Sequence, residues 1–376
     1  MSEKPLYTIP IDQRPPHGPW TSKVFFPLVF NFAQLGINSA QFLFVPLLLI
    51  PVVGRRWFDA AVGWTKDGYG RLHGQMTKIN LPDRLVVMAN HQAYLDWMYL
   101  WILSCYAGHS RGIIILLKAS LKKIPVIGWG MVTLTQLGHQ ARSGQEDHAS
   151  ETSGLLWPKK RSPLWLLIFP EGTIVSDEER VKSVRYAERE GVADFVTMLH
   201  PRSTGLLFCL RTLLPQVPDL QLLDVTIGYP GVPYGKYPQD WYGLFSVFFR
   251  SVPPPTVHIH LHLYSNLTSS TSEVPSLVSK PLAAGNDQPP SDTGLASPEE
   301  TRAFELWLRG IWTAKEKRME RFYRDGRFES GEGGAREVVP RSKWYHWISA
   351  FGGGGMGTAA VVGVGIWQIA ELLKSS

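Results

Sequence analysis

The sequence predicts an α/β domain, and three observations carry that reading. Short aliphatic and β-branched runs alternate through the middle of the chain with segments of helical periodicity. Two turns rich in reactive side chains, Asn90-His91-Gln92-Ala93-Tyr94-Leu95-Asp96 and Phe169-Pro170-Glu171-Gly172-Thr173, each follow directly on such a run. In α/β sheets ligands bind in the crevice outside the carboxyl ends of the strands, which is where both turns would then fall.

Residues 1–23 read as a polar, Pro-rich tail without the basic start and short apolar core of a signal peptide. Residues 24–53 are apolar and uncharged over a length sufficient to cross a bilayer, and predict a membrane anchor helix. Asn31, Gln34, Asn38 and Gln41 fall on one helical face of it, so a buried amphipathic helix packed on the domain is the competing reading. Arg55 and Arg56 would mark a cytoplasmic edge.

The α/β domain is expected over residues 84–264. Residues 85–89 predict a buried strand and residues 96–103 an apolar helix. A five-residue step leaves His91 and Asp96 on different faces of a regular helix, so they meet only at the corner between strand and helix. Histidine is the side chain best suited to take a proton near neutral pH, and an aspartate can hold its ring in one tautomer. No Ser or Cys nucleophile sits beside His91, so its expected task is to deprotonate a hydroxyl brought by a substrate. Singly, a His followed by an Asp also fits a satisfied core group, and Pro-Glu-Gly a plain turn. Their shared placement at strand ends favours a site.

A second strand is expected over residues 112–117, ending at Lys118. Lys118, Lys122 and Lys123 form either a solvated face or an attractor for an anionic headgroup or acyl-CoA. Residues 132–142 form a weak, polar strand closing on Arg142, and residues 143–160 have little periodicity. Residues 164–169 predict the strand before the Pro-Glu-Gly turn, in which Gly172 lets backbone approach a ligand. A charged helix follows over residues 177–190. The loop 200–205 carries Arg202, whose planar fork suits a phosphate or a carboxylate partner. A helix over residues 206–214 and a strand over residues 222–229 complete the alternation.

Residues 240–249 are aromatic in the manner of an interfacial segment. Residues 256–263 alternate strictly, which puts His258, His260 and His262 on one strand face. That face is expected to be the solvent side of an edge strand rather than a metal site. Residues 265–296 are Ser/Pro/Thr-rich and read as a disordered linker. Residues 297–328 predict an amphipathic helix with basic residues towards its end, opened by Ser297 at the cap, Pro298 at the first position and Glu300 three after the cap. Residues 347–370 are uncharged and Gly-rich over a spanning length, and predict a C-terminal transmembrane helix.

The net charge of +6 favours an anionic partner. With no helix-turn-helix, zinc-finger or RNA-binding signature, a lipid bilayer is the better fit, and nucleic acid is not expected. Cys105 and Cys209, both in apolar runs, read as free thiols of a reducing compartment.

Asn90-His91, four residues, Asp96, followed by Phe169-Pro170-Glu171-Gly172-Thr173, resembles the signature pair of the glycerolipid acyltransferases, the lysophosphatidic acid acyltransferase superfamily. Residues 121–131 (LKKIPVIGWGM), 199–205 (LHPRSTG) and 224–229 (DVTIGY) resemble its eukaryotic branch of lysocardiolipin and lysophosphatidylinositol acyltransferases. The resemblance runs from about residue 25 to residue 328. It implies a central mixed sheet flanked by helices, and acyl transfer from acyl-CoA to the free hydroxyl of a lysophospholipid (lysophosphatidate, lysophosphatidylinositol or lysocardiolipin). His91 and Asp96 would be catalytic. Glu171, Gly172, Thr173 and Arg202 would place the acceptor, with Glu171 bonding a glycerol hydroxyl or orienting an arginine, and Lys118 and Arg142 are further candidate contacts. The family's usual arginine falls about one residue earlier than Arg142, so this stretch departs from the pattern. No metal or redox cofactor is implied; acyl-CoA is a co-substrate. A phospholipid transacylase would use the same His and Asp, and an impaired lipid-binding homologue is the reading from another class. The resemblance further implies the endoplasmic reticulum membrane, with the mitochondrial outer membrane second; with both apolar ends spanning, the catalytic body is expected on the cytoplasmic side, where acyl-CoA is found.

Overall fold

The computed structural model of the chain describes residues 79–116, 163–248, 250, 252–269, 272–275, 277, 297–329 and 334–338, with isolated positions at Val24 and Trp57. Five strands form one sheet among these residues: β1 (Arg84–Ala89), β2 (Ile113–Ile115), β3 (Leu164–Ile168), β4 (Gln221–Gly228) and β5 (His258–Tyr264). Their order is β2-β3-β1-β4-β5. The first four are parallel and β5 runs antiparallel to β4 along one edge. The sheet is therefore mixed, as expected, and central β1 is buried on both faces, which explains its unbroken apolar run.

The helices are α1 (Asp96–Tyr106), α2 (Asp177–Glu190), α3 (Ser203–Leu213), α4 (Pro238–Trp241), α5 (Leu244–Phe248) and α6 (Pro298–Asp325). Strand alternation sorts them into two layers. Leu85, Val87 and Ala89 of β1 pack with residues of α1, with Tyr229, Tyr242 and with Val247 of α5. Val86 and Met88 pack on the opposite face with α3 and α6, through Leu206, Leu210, Leu308 and Trp312.

α2 begins at Ser176, whose hydroxyl accepts from the Glu179 N–H, and ends at left-handed Gly191, matching its expected span. α6 opens with the expected capping box between Ser297 and Glu300. Its buried side chains, Phe304, Leu308, Trp312, Lys315, Met319 and Phe322, recur at helical spacing and lie over β4. Contact is tight at the end of β4. A Cβ on Gly228 would sit 2.8 Å from the Phe322 ring and 3.0 Å from Phe328.

Several boundaries move. α3 starts at Ser203 rather than in the residues after the loop, because Arg202 is extended and donates its N–H to the Pro170 carbonyl, which leaves the next residue free to turn. Leu267, Val274 and Leu277, inside the stretch read as a disordered linker, are buried in the core, so packing continues past β5. The row of histidines on β5 is a solvent face only at His262, which is exposed. His258 meets Phe322 at 5.4 Å and His260 meets Phe328 at 6.0 Å between ring centroids, both half-buried beneath the end of α6. Of the aromatic stretch 240–249, residues 240–241 belong to α4 and residues 244–248 to α5, with Phe245 exposed.

The proposed membrane segments, residues 24–53 and 347–370, lie outside the described residues apart from Val24. Among the described residues no helix is long and apolar enough to cross a membrane. Lys118, Lys122, Lys123 and Arg142 also lie outside them.

Candidate active site

The carboxyl ends of β1, β3 and β4 lie side by side in the sheet, so the two turns singled out in the sequence are brought together there. Asn90 fixes the first corner. Its amide nitrogen donates to the Ile227 carbonyl at 3.1 Å and its oxygen accepts the Ile227 N–H at 2.7 Å. This buried two-way clamp ties the end of β1 to β4. The chain then turns through residues 91–95 into α1, whose first residue is Asp96.

His91 Nδ1 is 2.9 Å from Asp96 Oδ2. The same oxygen accepts the N–H groups of Gln92 at 2.6 Å and Ala93 at 2.9 Å, so the carboxylate folds back over its own turn. Asp96 Oδ1 accepts the Tyr229 hydroxyl at 2.5 Å. Asp96 is fully buried. An ionised carboxylate only accepts hydrogen bonds, so Nδ1 of a neutral His91 carries the proton and Nε2 presents its lone pair. The imidazole stacks on Phe169, with centroids 4.1 Å apart and planes 17° from parallel. About 14% of the His91 side chain stays exposed. A ring held by its edge and its face, with a basic nitrogen on the far side, can take a proton from a bound hydroxyl.

The second corner is braced differently. Glu171, 2% exposed, accepts the His91 N–H on Oε1 and the Leu199 N–H on Oε2, both at 3.1 Å. It bridges the His91 corner and the segment leading to α3. Burial pushes its carboxyl up to about 8, against the pull of these donors and of the Lys315 cation. The resemblance implied a contact with a glycerol hydroxyl or an arginine; the bonds here are to backbone, and the side chain is almost closed off. Gly172 has φ +74°, a conformation that L side chains rarely adopt. Above it lies Arg202, whose side-chain atoms come within 3.6 Å of a Cβ built at Gly172. Arg202 is exposed, and among the described residues it has no carboxylate partner. Thr173 is half-exposed in the same turn.

Further groups enter from outside the two motifs. The Gln92 side-chain amide donates to the Thr197 carbonyl at 2.9 Å. Thr197 is held in turn by Glu316 of α6, which accepts the Val196 N–H at 2.7 Å, the Thr197 N–H at 2.9 Å and the Thr197 hydroxyl at 2.6 Å. Lys315, fully buried, pairs with Asp224 at 2.6 Å and also donates to the Val225 carbonyl. Sequence reasoning missed Tyr229, Gln92, Thr197, Lys315 and Glu316 as supports. A lone Asp224 in an apolar strand and a lone Lys315 in the buried stripe of α6 were signals that a pair was needed.

A strand-end His–Asp pair with one imidazole nitrogen turned away from the carboxylate, and an arginine over the second turn that has no carboxylate partner among the described residues, form an arrangement able to activate a hydroxyl for group transfer. Comparison with known proteins specifies the group. The family model described as Acyltransferase matches residues 73–229. A 2-acyl-1-lysophosphatidylinositol acyltransferase of Saccharomyces cerevisiae is 31% identical over 340 residues, covering 79% of this chain and 77% of the yeast protein. Lysocardiolipin acyltransferase 1 of Gallus gallus is 29% identical, over 81% and 67% of the two chains. Lysophosphatidylinositol acyltransferase 10 of Caenorhabditis elegans is 28% identical, over 80% and 71%. No solved structure matches. The chain belongs to the glycerolipid acyltransferase superfamily, in its eukaryotic lysocardiolipin and lysophosphatidylinositol acyltransferase branch, and is an O-acyltransferase.

Proposed function

We propose that this enzyme moves an acyl chain from acyl-CoA to the free hydroxyl of a lysophospholipid, with His91 as general base. The observation that carries the reading is the 2.9 Å contact of His91 Nδ1 with buried Asp96, which leaves Nε2 as the proton acceptor. The acceptor hydroxyl gives its proton to Nε2 as its oxygen attacks the thioester carbonyl carbon. The tetrahedral intermediate then expels the CoA thiolate as the C–S bond breaks, and imidazolium returns the proton to sulfur. Asp96 stabilises the transient imidazolium without itself taking the proton. Arg202 faces the acceptor phosphate, where its fork bonds two oxygens. Gly172 and Thr173 shape the turn beneath it, and Glu171 acts through the backbone it braces. Lys118 and Arg142 add positive charge along the approach of acyl-CoA or headgroup.

Residues 24–53 and 347–370 hold the enzyme to the bilayer in which its acceptor resides, supported by their length and lack of charge. The domain of residues 84–264 and the helix of residues 297–328 work as one body on the cytoplasmic side, where acyl-CoA is found. The endoplasmic reticulum membrane is the first assignment, on family resemblance, and the mitochondrial outer membrane the second.

The test is acylation by detergent-purified protein given acyl-CoA and a panel of lysophospholipids, beside His91→Ala. Activity that depends on acyl-CoA and is abolished by His91→Ala is expected, and the panel names the headgroup. Activity with a phospholipid donor alone would replace the reading with a transacylase. Folded protein inactive with every donor would overturn it.

A further inference from the structure

Tyr229 follows directly on β4, which runs past the end of β1: Ala89 pairs with Val225, and three more residues of β4 follow. The overhang carries Tyr229 over the His91 corner. The clamp between Asn90 and Ile227, two residues earlier, fixes how far it reaches. The Tyr229 ring is fully buried, 5.9 Å from Tyr242 and 6.2 Å from Tyr99 between centroids. Its hydroxyl donates to Asp96 Oδ1 at 2.5 Å.

The two oxygens of Asp96 are held from different directions. Oδ2 takes the His91 ring and two N–H groups of its own turn, whereas Oδ1 takes a hydroxyl from a strand 133 residues away. Local contacts alone leave the carboxylate able to tilt about its Oδ2 side. The tyrosine removes that freedom and draws negative charge off the carboxylate. We propose that Tyr229 is a positioning residue for acyl transfer, orienting the Asp96 carboxylate that holds the His91 ring. The inference rests on His91 acting as that base.

The titratable groups facing the dyad are Tyr99 from α1, Tyr229 from the end of β4 and Tyr242 between α4 and α5. Glu171 reaches the corner only through the His91 backbone N–H. Burial and the neighbouring Asp96 hold the Tyr229 hydroxyl well above the usual tyrosine range, so it stays protonated and donating at every working pH.

The experiment is the pH dependence of kcat/KM for the full-length enzyme and for Tyr229→Phe. Loss of the donor leaves Asp96 more negative, which favours imidazolium, so the acid limb should move up by roughly half a pH unit. kcat should fall roughly five- to tenfold while the acceptor KM changes by less than about twofold, because ground-state binding is untouched. In an Asp96→Asn background the Tyr229→Phe effect should vanish, since the residue acts through that carboxylate. Should Tyr229→Phe melt too low for kinetics, 3-fluorotyrosine at position 229, a stronger donor, should move the limb down instead. An unmoved acid limb in both variants, or an equal loss with and without Asp96, overturns the inference. Wild-type activity that survives His91→Ala would instead overturn the general-base reading on which it rests.

Discussion

The two corners of the site each hold a buried carboxylate, and they are held in opposite ways. Asp96 has donors close in sequence, with Gln92, Ala93 and His91 all within five residues and one distant hydroxyl added. Glu171 draws instead on distant partners: the backbone N–H groups of His91 and Leu199, with the Trp312 indole and the Lys315 cation also acting on its carboxyl. Three donors and a histidine hold Asp96 in one orientation. Two backbone donors across a chain crossing make Glu171 a brace whose charge burial opposes. The same residue class at the same kind of strand end thus holds a histidine ring in one corner and ties backbone segments together in the other.

The sharpest way to break the comparison is Asp96→Asn. Its amide oxygen can take the place of Oδ2, but the NH2 group then meets the Tyr229 hydroxyl and the negative charge that would stabilise an imidazolium is lost. Acylation should drop by about 10³-fold or more. A steady-state assay beside a thermal melt checks that activity falls much further than stability.

The next effect should appear in stability against pH. The Glu171 carboxyl is raised from 4.5 to about 8 in the fold. Between these values the native state binds a proton that the unfolded chain has lost. Its contribution to stability is therefore full below about pH 4.5 and is lost as pH rises through about 8. Melting temperatures between pH 5 and pH 9 read this out, roughly spanning the titration. Glu171→Gln should flatten the Glu171 component of the slope. If Glu171→Gln leaves the profile unchanged, the carboxylate is ionised throughout and the contrast with Asp96 is lost.

Glu171→Gln should also cost about 1–3 kcal/mol at neutral pH, because its NH2 group must face one of the two backbone N–H donors. Denaturant unfolding measures this, and the loss in stability should exceed the loss in kcat. The smallest expected effect is Arg202→Lys, which keeps the charge and loses the bidentate fork. The acceptor KM should rise by roughly three- to tenfold with kcat nearly constant. A fall in kcat without a change in KM would place Arg202 in the chemistry rather than over the acceptor phosphate.

The difference between the corners also explains what could be read in advance. The His91–Asp96 contact spans five residues, and the strand before it and helix after it were visible as apolar runs, so the corner followed from spacing alone. The left-handed turn at Gly172 was equally local. The supports were not. Tyr229 lay in a quoted stretch without an assigned role, because its bond to Asp96 depends on β4 lying next to β1 and overrunning it. Glu316 reaches Thr197 across 119 residues, and Lys315 finds Asp224 only because α6 lies over β4. The histidine face of β5 misled in part for the same reason: alternation shows which residues share a face, and the packing around α6 decided that His258 and His260 are covered while His262 stays exposed.

The sequence by itself determined the α/β alternation, the two strand-end turns, the N-terminal cap of α6 and the His91–Asp96 pair. Each of these depends on steric and hydrogen-bonding preferences that act over a few residues. Tertiary structure alone decided that β3 and β4 flank β1, that Glu171 braces rather than faces solvent, and that Tyr229 and α6 complete the site. Those outcomes depend on which buried surfaces pair once the chain has closed long loops, and no short stretch of residues encodes that choice.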